Sequence, residues 1–126
     1  IEDGTMEFGV GHHGEAGTKV EKLKSASEMA QEMAETILND FDFEEGKEVA
    51  VMLSSLGATP VMELYVLYDE VEKVLAKAGH KVWKTYIGNY VTSLDMNGAS
   101  LTIVDLDDEI KELLSEPAVP IGMKNY

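Results

Sequence analysis

The stretch "GVGHHGEAG", residues 9–17, sets two adjacent histidines among four glycines, with one carboxylate, Glu15, beside them. Histidine has an ordinary pKa of about 6.5, so a neutral imidazole is available near physiological pH. Such a ring can serve as a general base or as a nucleophile toward a carbonyl. Glycines around it would expose it and let a small substrate approach the backbone. Three other readings fit the same residues. As metal ligands, His12 and His13 are poorly spaced, because neighbours on a strand point to opposite faces. The third histidine, His80, opens a distant strand, and the spacing places no second ligand beside a His/Glu15 pair. As a phosphate cradle, residues 9–14 match G-x-G-x-x-G, a fingerprint that should follow a strand and open a helix. Here the residues that follow are charged and polar. As architecture, Gly9, Gly11, Gly14 and Gly17 permit positive φ or a close backbone approach, and a sharp turn at a strand end accounts for all four. The residues alone leave these readings open.

Two further stretches could contribute to a site. "SSLGATP" (residues 54–60) follows an apolar run and falls where open α/β sheets bind ligands, at the carboxyl end of a strand. An ordinary strand-to-helix loop explains it equally. "TSLDMNGAS" (residues 92–100) mixes hydroxyls, an acid and a glycine. A turn in which Asp95 or Asn97 bonds its own backbone is the simpler account.

The elements that must position these stretches read as follows. Thr5–Val10 is a short strand running into the glycine-rich turn. Ser25 or Ser27 caps a helix whose apolar positions Ala26, Met29, Ala30, Met33, Ile37, Leu38 and Phe41 recur at helical spacing through about Asp40. "DFEEGKE" is a polar turn. Val49–Leu53 is a continuous apolar run, as in a strand covered on both faces. Pro60 suits the start of a second helix, with an apolar face of Leu64, Leu67, Tyr68, Val71, Val74, Leu75 and Ala78 and Gly79 at its end. Residues 80–87 and 99–104 are strands, and Asp107 or Asp108 opens a short helix through Leu114. "EPAVPIGMKNY" is an extended tail or docking segment. The order β-α-β-α-β-β-α predicts an α/β fold, a two-layer sandwich of a mixed β-sheet with helices packed on it, over residues 1–126 as one domain.

Composition narrows the function classes. The chain has 126 residues, enough to bury a sizeable core. Ten basic residues stand against 24 acidic ones, a formal charge of −14. That balance disfavours nucleic acid and anionic membranes as partners. There is no cysteine, hence no disulfide, thiolate zinc site or cysteine nucleophile. No apolar run reaches the roughly 18 residues of a membrane span, and the acidic opening "IEDGTMEF" lacks the basic and apolar regions of a signal peptide.

Taken together and in this order, "MEFGVGHHGEAG", "LGATPVMELYVLYDEVEKVLAKAG" and "YIGNYVTSLDMNGASLTIVDLDDEI" resemble the second half of the dihydroxyacetone kinase substrate-binding domain, over roughly residues 5–115. The resemblance implies a G-x-H-G-E-x-G motif whose histidine bonds covalently to the substrate. Gly11, His12, His13, Gly14, Glu15, Ala16 and Gly17 occupy that motif, so His13 takes the covalent role and His12 stands at a usually apolar position. It implies substrate-site residues His13, Gly11, Gly14 and Glu15, with Gly9 shaping the loop, and dihydroxyacetone as substrate. Glu15 would bond the loop backbone or polarise the imidazole. Ala16 replaces a common proline, and Ser54 and Ser55 stand where asparagine is frequent. The resemblance also implies a missing N-terminal half of the same subunit, carrying the catalytic base. ATP or ADP with Mg would sit on a separate helical kinase subunit or domain, leaving no cofactor and no metal on this chain. It implies a cytoplasmic homodimer. The family also includes transcriptional co-regulators that sense dihydroxyacetone without phosphorylating it. On this basis the chain is expected to be a C-terminal piece of a longer kinase subunit.

Overall fold

A computed structural model describes residues 2–125. The chain runs through β1 (Thr5–Phe8), β2 (Lys19–Lys22), α1 (Ala26–Asp40), β3 (Glu48–Ser55), α2 (Val61–Lys77), β4 (Lys81–Gly88), β5 (Ala99–Asp105) and α3 (Asp108–Ser115). β3 is central in a mixed sheet of order β4-β3-β5. It pairs parallel with β4 and antiparallel with β5. This is the mixed sheet with helices that the pattern predicts.

The sequence signals act locally as physical chemistry requires. Ser25 is the N-cap of α1. Its hydroxyl accepts from the Glu28 N–H, and the Glu28 carboxylate returns a bond from the Ser25 N–H at 3.0 Å, forming a capping box. α2 ends in a Schellman turn, with His80 N–H on Leu75 O (2.9 Å) and Gly79 N–H on Ala76 O (3.1 Å). Asp107 caps α3 by accepting from the Ile110 N–H at 2.7 Å.

One layer of the core is the odd-numbered face of β3. Val49, Val51 and Leu53 meet Ala30 of α1 and Leu64, Leu67, Val71 and Leu75 of α2, all of them buried. The opposite face of the sheet is partly covered by the tail. Asn125 is buried there, its Oδ1 accepting from Lys84 and from the Tyr86 hydroxyl, its Nδ2 donating to Leu114 O and Glu116 O. The tail is therefore docked on its own sheet through Asn125; its last residue, Tyr126, lies outside the described residues.

The one element that periodicity misses is β2. Lys19–Lys22 pairs antiparallel with β1 in register Thr5↔Lys22 to Phe8↔Lys19, so the order begins β-β-α rather than β-α. "KVEK" is largely exposed, and Val20 is itself solvent-facing. A strand that buries neither face carries no apolar alternation to read. The first strand also stops at Phe8 instead of Val10.

Candidate functional site

The glycine-rich stretch is the loop of the β1–β2 hairpin. Its base is closed by Thr18 N–H on Phe8 O (2.7 Å) and by Gly17 N–H on the Glu7 carboxylate (2.8 Å). Nearer the tip, Gly11 N–H donates to Glu15 O at 3.1 Å and Gly14 N–H to Gly11 O at 3.4 Å. Gly9 and Gly14 have φ of +75° and +90°. His13 stands at the tip with its side chain 91% exposed.

Glu15 organises this tip. One carboxylate oxygen accepts from the His13 N–H at 3.0 Å, and the other lies 3.7 Å from His13 Nδ1. Gly11 is what lets the carboxylate fold back. A β-carbon there would fall onto the Glu15 carboxylate and lie 2.8 Å from its Cβ. The Gly11→Ala variant is expected to expel Glu15 from the His13 N–H while leaving β3–β5 intact. Amide chemical shifts report it: His13 N–H moves upfield with loss of its charged acceptor, and Val51 and Leu53 stay in place.

The other readings of this stretch meet the structure as follows. The loop joins two strands, and α1 begins only at Ala26, so no helix N-terminus lies beneath residues 9–14 to receive a phosphate. His80 lies at the amino end of β4, 8% exposed, with its ring edge-on to Phe43 at 5.6 Å. Among the described residues, no group of three or more His, Asp or Glu is placed to hold a metal ion.

The two remaining stretches come together at the carboxyl end of β3. Ser54 Oγ accepts from both Tyr90 N–H and Val91 N–H at 3.0 Å. Leu56 N–H donates to Gly98 O, Ala58 N–H to Met96 O and Ser93 N–H to Leu56 O. Thr59 Oγ1 contacts Asn97 Oδ1 at 3.0 Å and Gly98 O at 2.8 Å, and accepts from Gly98 N–H. Asn97 thus bonds across to Thr59, where a bond to its own backbone was the expectation. Of the two serines in place of asparagine, Ser54 is built into this contact between loops, and Ser55 Oγ accepts from the Gly57 N–H of its own loop at 3.0 Å. Among the described residues, no hydrogen bond or ion pair of residues 9–18 reaches either loop. Sequence reasoning missed Glu7 and Thr18, which close the hairpin loop; neither carries a signal beyond its strand-end position.

The model of the Dak1 domain family matches residues 1–121. The chain belongs to the Dak1 domain family. It is 38% identical, over 117 residues, to the dihydroxyacetone-binding subunit DhaK of a PTS-dependent dihydroxyacetone kinase 2 from Listeria innocua. That match takes in 93% of this chain and 35% of the relative, so the chain spans about a third of that relative's length. Among solved structures, the dihydroxyacetone kinase operon co-activator DhaQ superposes with a TM-score of 0.86 at 30% identity, covering 93% of this chain and 37% of that one. The dihydroxyacetone kinase of C. freundii in complex with AMP-PNP and Mg2+ gives 0.77 at 29% identity, covering 91% and 21%. The fold of this Dak1 domain is therefore shared with a dihydroxyacetone kinase and with an operon co-activator. No helix among its described residues is long and apolar enough to cross a membrane.

Proposed function

We propose that this Dak1 domain is the histidine-bearing portion of the substrate-binding component of a dihydroxyacetone kinase, and that His13 holds the ketone as a covalent hemiaminal. The observation that carries the proposal is His13 itself. It is presented at the tip of a glycine-rich hairpin, in a chain 38% identical to a dihydroxyacetone-binding subunit.

The chemistry follows from the neutral imidazole. With Nδ1–H turned toward Glu15, the lone pair of Nε2 is free to attack C2 of dihydroxyacetone. The N–C2 bond forms, the carbonyl π pair moves to oxygen, and the ring becomes cationic. Loss of the Nδ1 proton and protonation of the alkoxide complete a neutral hemiaminal, with no net proton gained. The Glu15 carboxylate stabilises the transient imidazolium. Its present 3.7 Å separation is longer than a hydrogen bond, and a turn of the exposed ring shortens it. Glycerol has no carbonyl and cannot form this bond. Discrimination thus comes from chemistry, where a pocket separates such small polyols poorly. Bonding at C2 also fixes the terminal hydroxyl in place for phosphoryl transfer.

In this proposal the phosphoryl donor is bound elsewhere, by a nucleotide-carrying subunit or domain, and the rest of the substrate pocket comes from the remaining two thirds of the subunit. The complete assembly works as a cytoplasmic homodimer. Equilibrium dialysis checks the selectivity: labelled dihydroxyacetone is retained and labelled glycerol is not, at equal concentration. Equal retention of both overturns the covalent mechanism.

A second reading has one specific support, the better superposition on the co-activator DhaQ than on the C. freundii kinase. A sensor would keep the adduct and lack phosphoryl transfer. Phosphorylation of the bound ketone by the assembled subunits separates the two.

A further inference from the structure

The hairpin that carries His13 is not part of the packed body. No residue from 5 to 22 belongs to the buried core, and β1 and β2 pack mainly on one another. Among the described residues, the side-chain ion pairs between the hairpin with its flanking Lys24 and α1 converge on Glu32. Glu32, half-buried on α1, uses both carboxylate oxygens. Oε1 pairs with Lys19 at the start of β2, and Oε2 accepts from Lys24 at 2.5 Å, just beyond the end of β2. Glu21 of β2 closes the cluster, 3.1 Å from Lys19 and 2.8 Å from Lys24. Lys19 is further held over the Phe8 ring at 5.5 Å.

We propose that Glu32 is a positioning residue: a carboxylate on α1 that clamps Lys19 and Lys24 and so fixes the orientation of the hairpin presenting His13. The four side chains are each only 20–44% exposed, unlike a fully solvated surface pair. They form a network rather than isolated pairs, the case in which ion pairs have measurable effect. Hydrogen bonds from Lys19 and then Lys24 hold the Glu32 carboxyl down at about 2, so the clamp is charged across the physiological range.

The functional half of this inference rests on the reading of His13 given above; the structural half does not. Residual dipolar couplings on the full chain test the structural half. In the parent, amides of β1, β2 and β3–β5 fit one alignment tensor. In Glu32→Ala, the hairpin couplings collapse toward zero while those of β3–β5 persist, and Glu32→Asp restores part of them. Should Glu32→Ala fail to fold, Glu32→Gln is read in the same way. The affinity for dihydroxyacetone then falls in proportion to the fraction of arms correctly held, about tenfold if one arm in ten is. Hairpin couplings that still fit the common tensor in the folded charge-free variant overturn the clamp. A loosened hairpin with unchanged affinity overturns its positioning role. If the parent joined to the rest of a Dak1 subunit forms no adduct, the reading of His13 falls, and the clamp is decided by the couplings alone.

Discussion

Replacing Gly57 by alanine is expected to destabilise this Dak1 domain by about 3 kcal/mol or more. Gly57 lies in the loop after β3 with φ of +135°, a conformation that side chains of the L series rarely adopt. Backbone in such a region costs on the order of 1–3 kcal/mol by itself. The remainder comes from a collision. A β-carbon at Gly57 would meet the carbonyl oxygen of Leu94 and lie 2.9 Å from its carbonyl carbon. Neither is the movable end of a side chain. Leu94 is itself held at φ +52°, so the partner loop has little freedom to yield. The variant must therefore pull the two loops apart, at the expense of bonds such as Ala58 N–H to Met96 O. Urea denaturation measures the loss, and hydrogen exchange at Ala58 and Leu56 localises it. Gly122→Ala is the control. Nothing lies within 4 Å of the added carbon there and the φ is ordinary, so its effect stays near zero. Equal effects at the two positions would mean that the loop contact does not constrain the fold.

Leu64→Ala is expected to cost about 3–4 kcal/mol and to lower the melting temperature by about 10 °C or more. Leu64 is fully buried in the first turn of α2, among Val49, Val51 and Leu53 of β3 and the other apolar positions of α2. Its loss removes transfer free energy and leaves a cavity, because a tight core relaxes only in part. Set against a typical domain stability of about 5–15 kcal/mol, this is a large fraction. Met62 offers a comparison from the same turn. It is 78% exposed, and Met62→Ala is expected to stay within about 0.5 kcal/mol. Similar melting temperatures for the two variants would place the core elsewhere.

The parts of the fold legible in the sequence are those where one residue type has one local job. Ser25 and Glu28 three residues apart mark a helix start, and Gly79 after an apolar face marks a helix end. The unbroken Val49–Leu53 run marks the central strand, which extends to Glu48 and Ser55 where hydrogen bonding continues past the apolar residues. β2 was not legible, because both of its faces meet solvent or ion-paired partners. The bonding of Ser54 to Tyr90 and Val91, 36 and 37 residues away, has no local trace at all. The candidate site divides in the same way. The glycines mark the turn and the histidines its chemistry. Glu15 bonds the loop backbone at His13, two residues away, so that contact is local; that Glu32 reaches the hairpin from α1 depends on tertiary placement.

The central claim is a carbon–nitrogen bond between His13 and a ketone. Its most direct test is NMR of dihydroxyacetone labelled with carbon-13 at C2, added to the chain alone and to the chain joined to the rest of a Dak1 subunit. Binding is predicted to move the signal from the ketone region to that of a tetrahedral carbon distinct from the free hydrate, and His13→Ala is predicted to abolish the new signal. No adduct even in the completed subunit, or an adduct that survives in His13→Ala, would contradict the account and leave residues 9–17 as a hairpin turn.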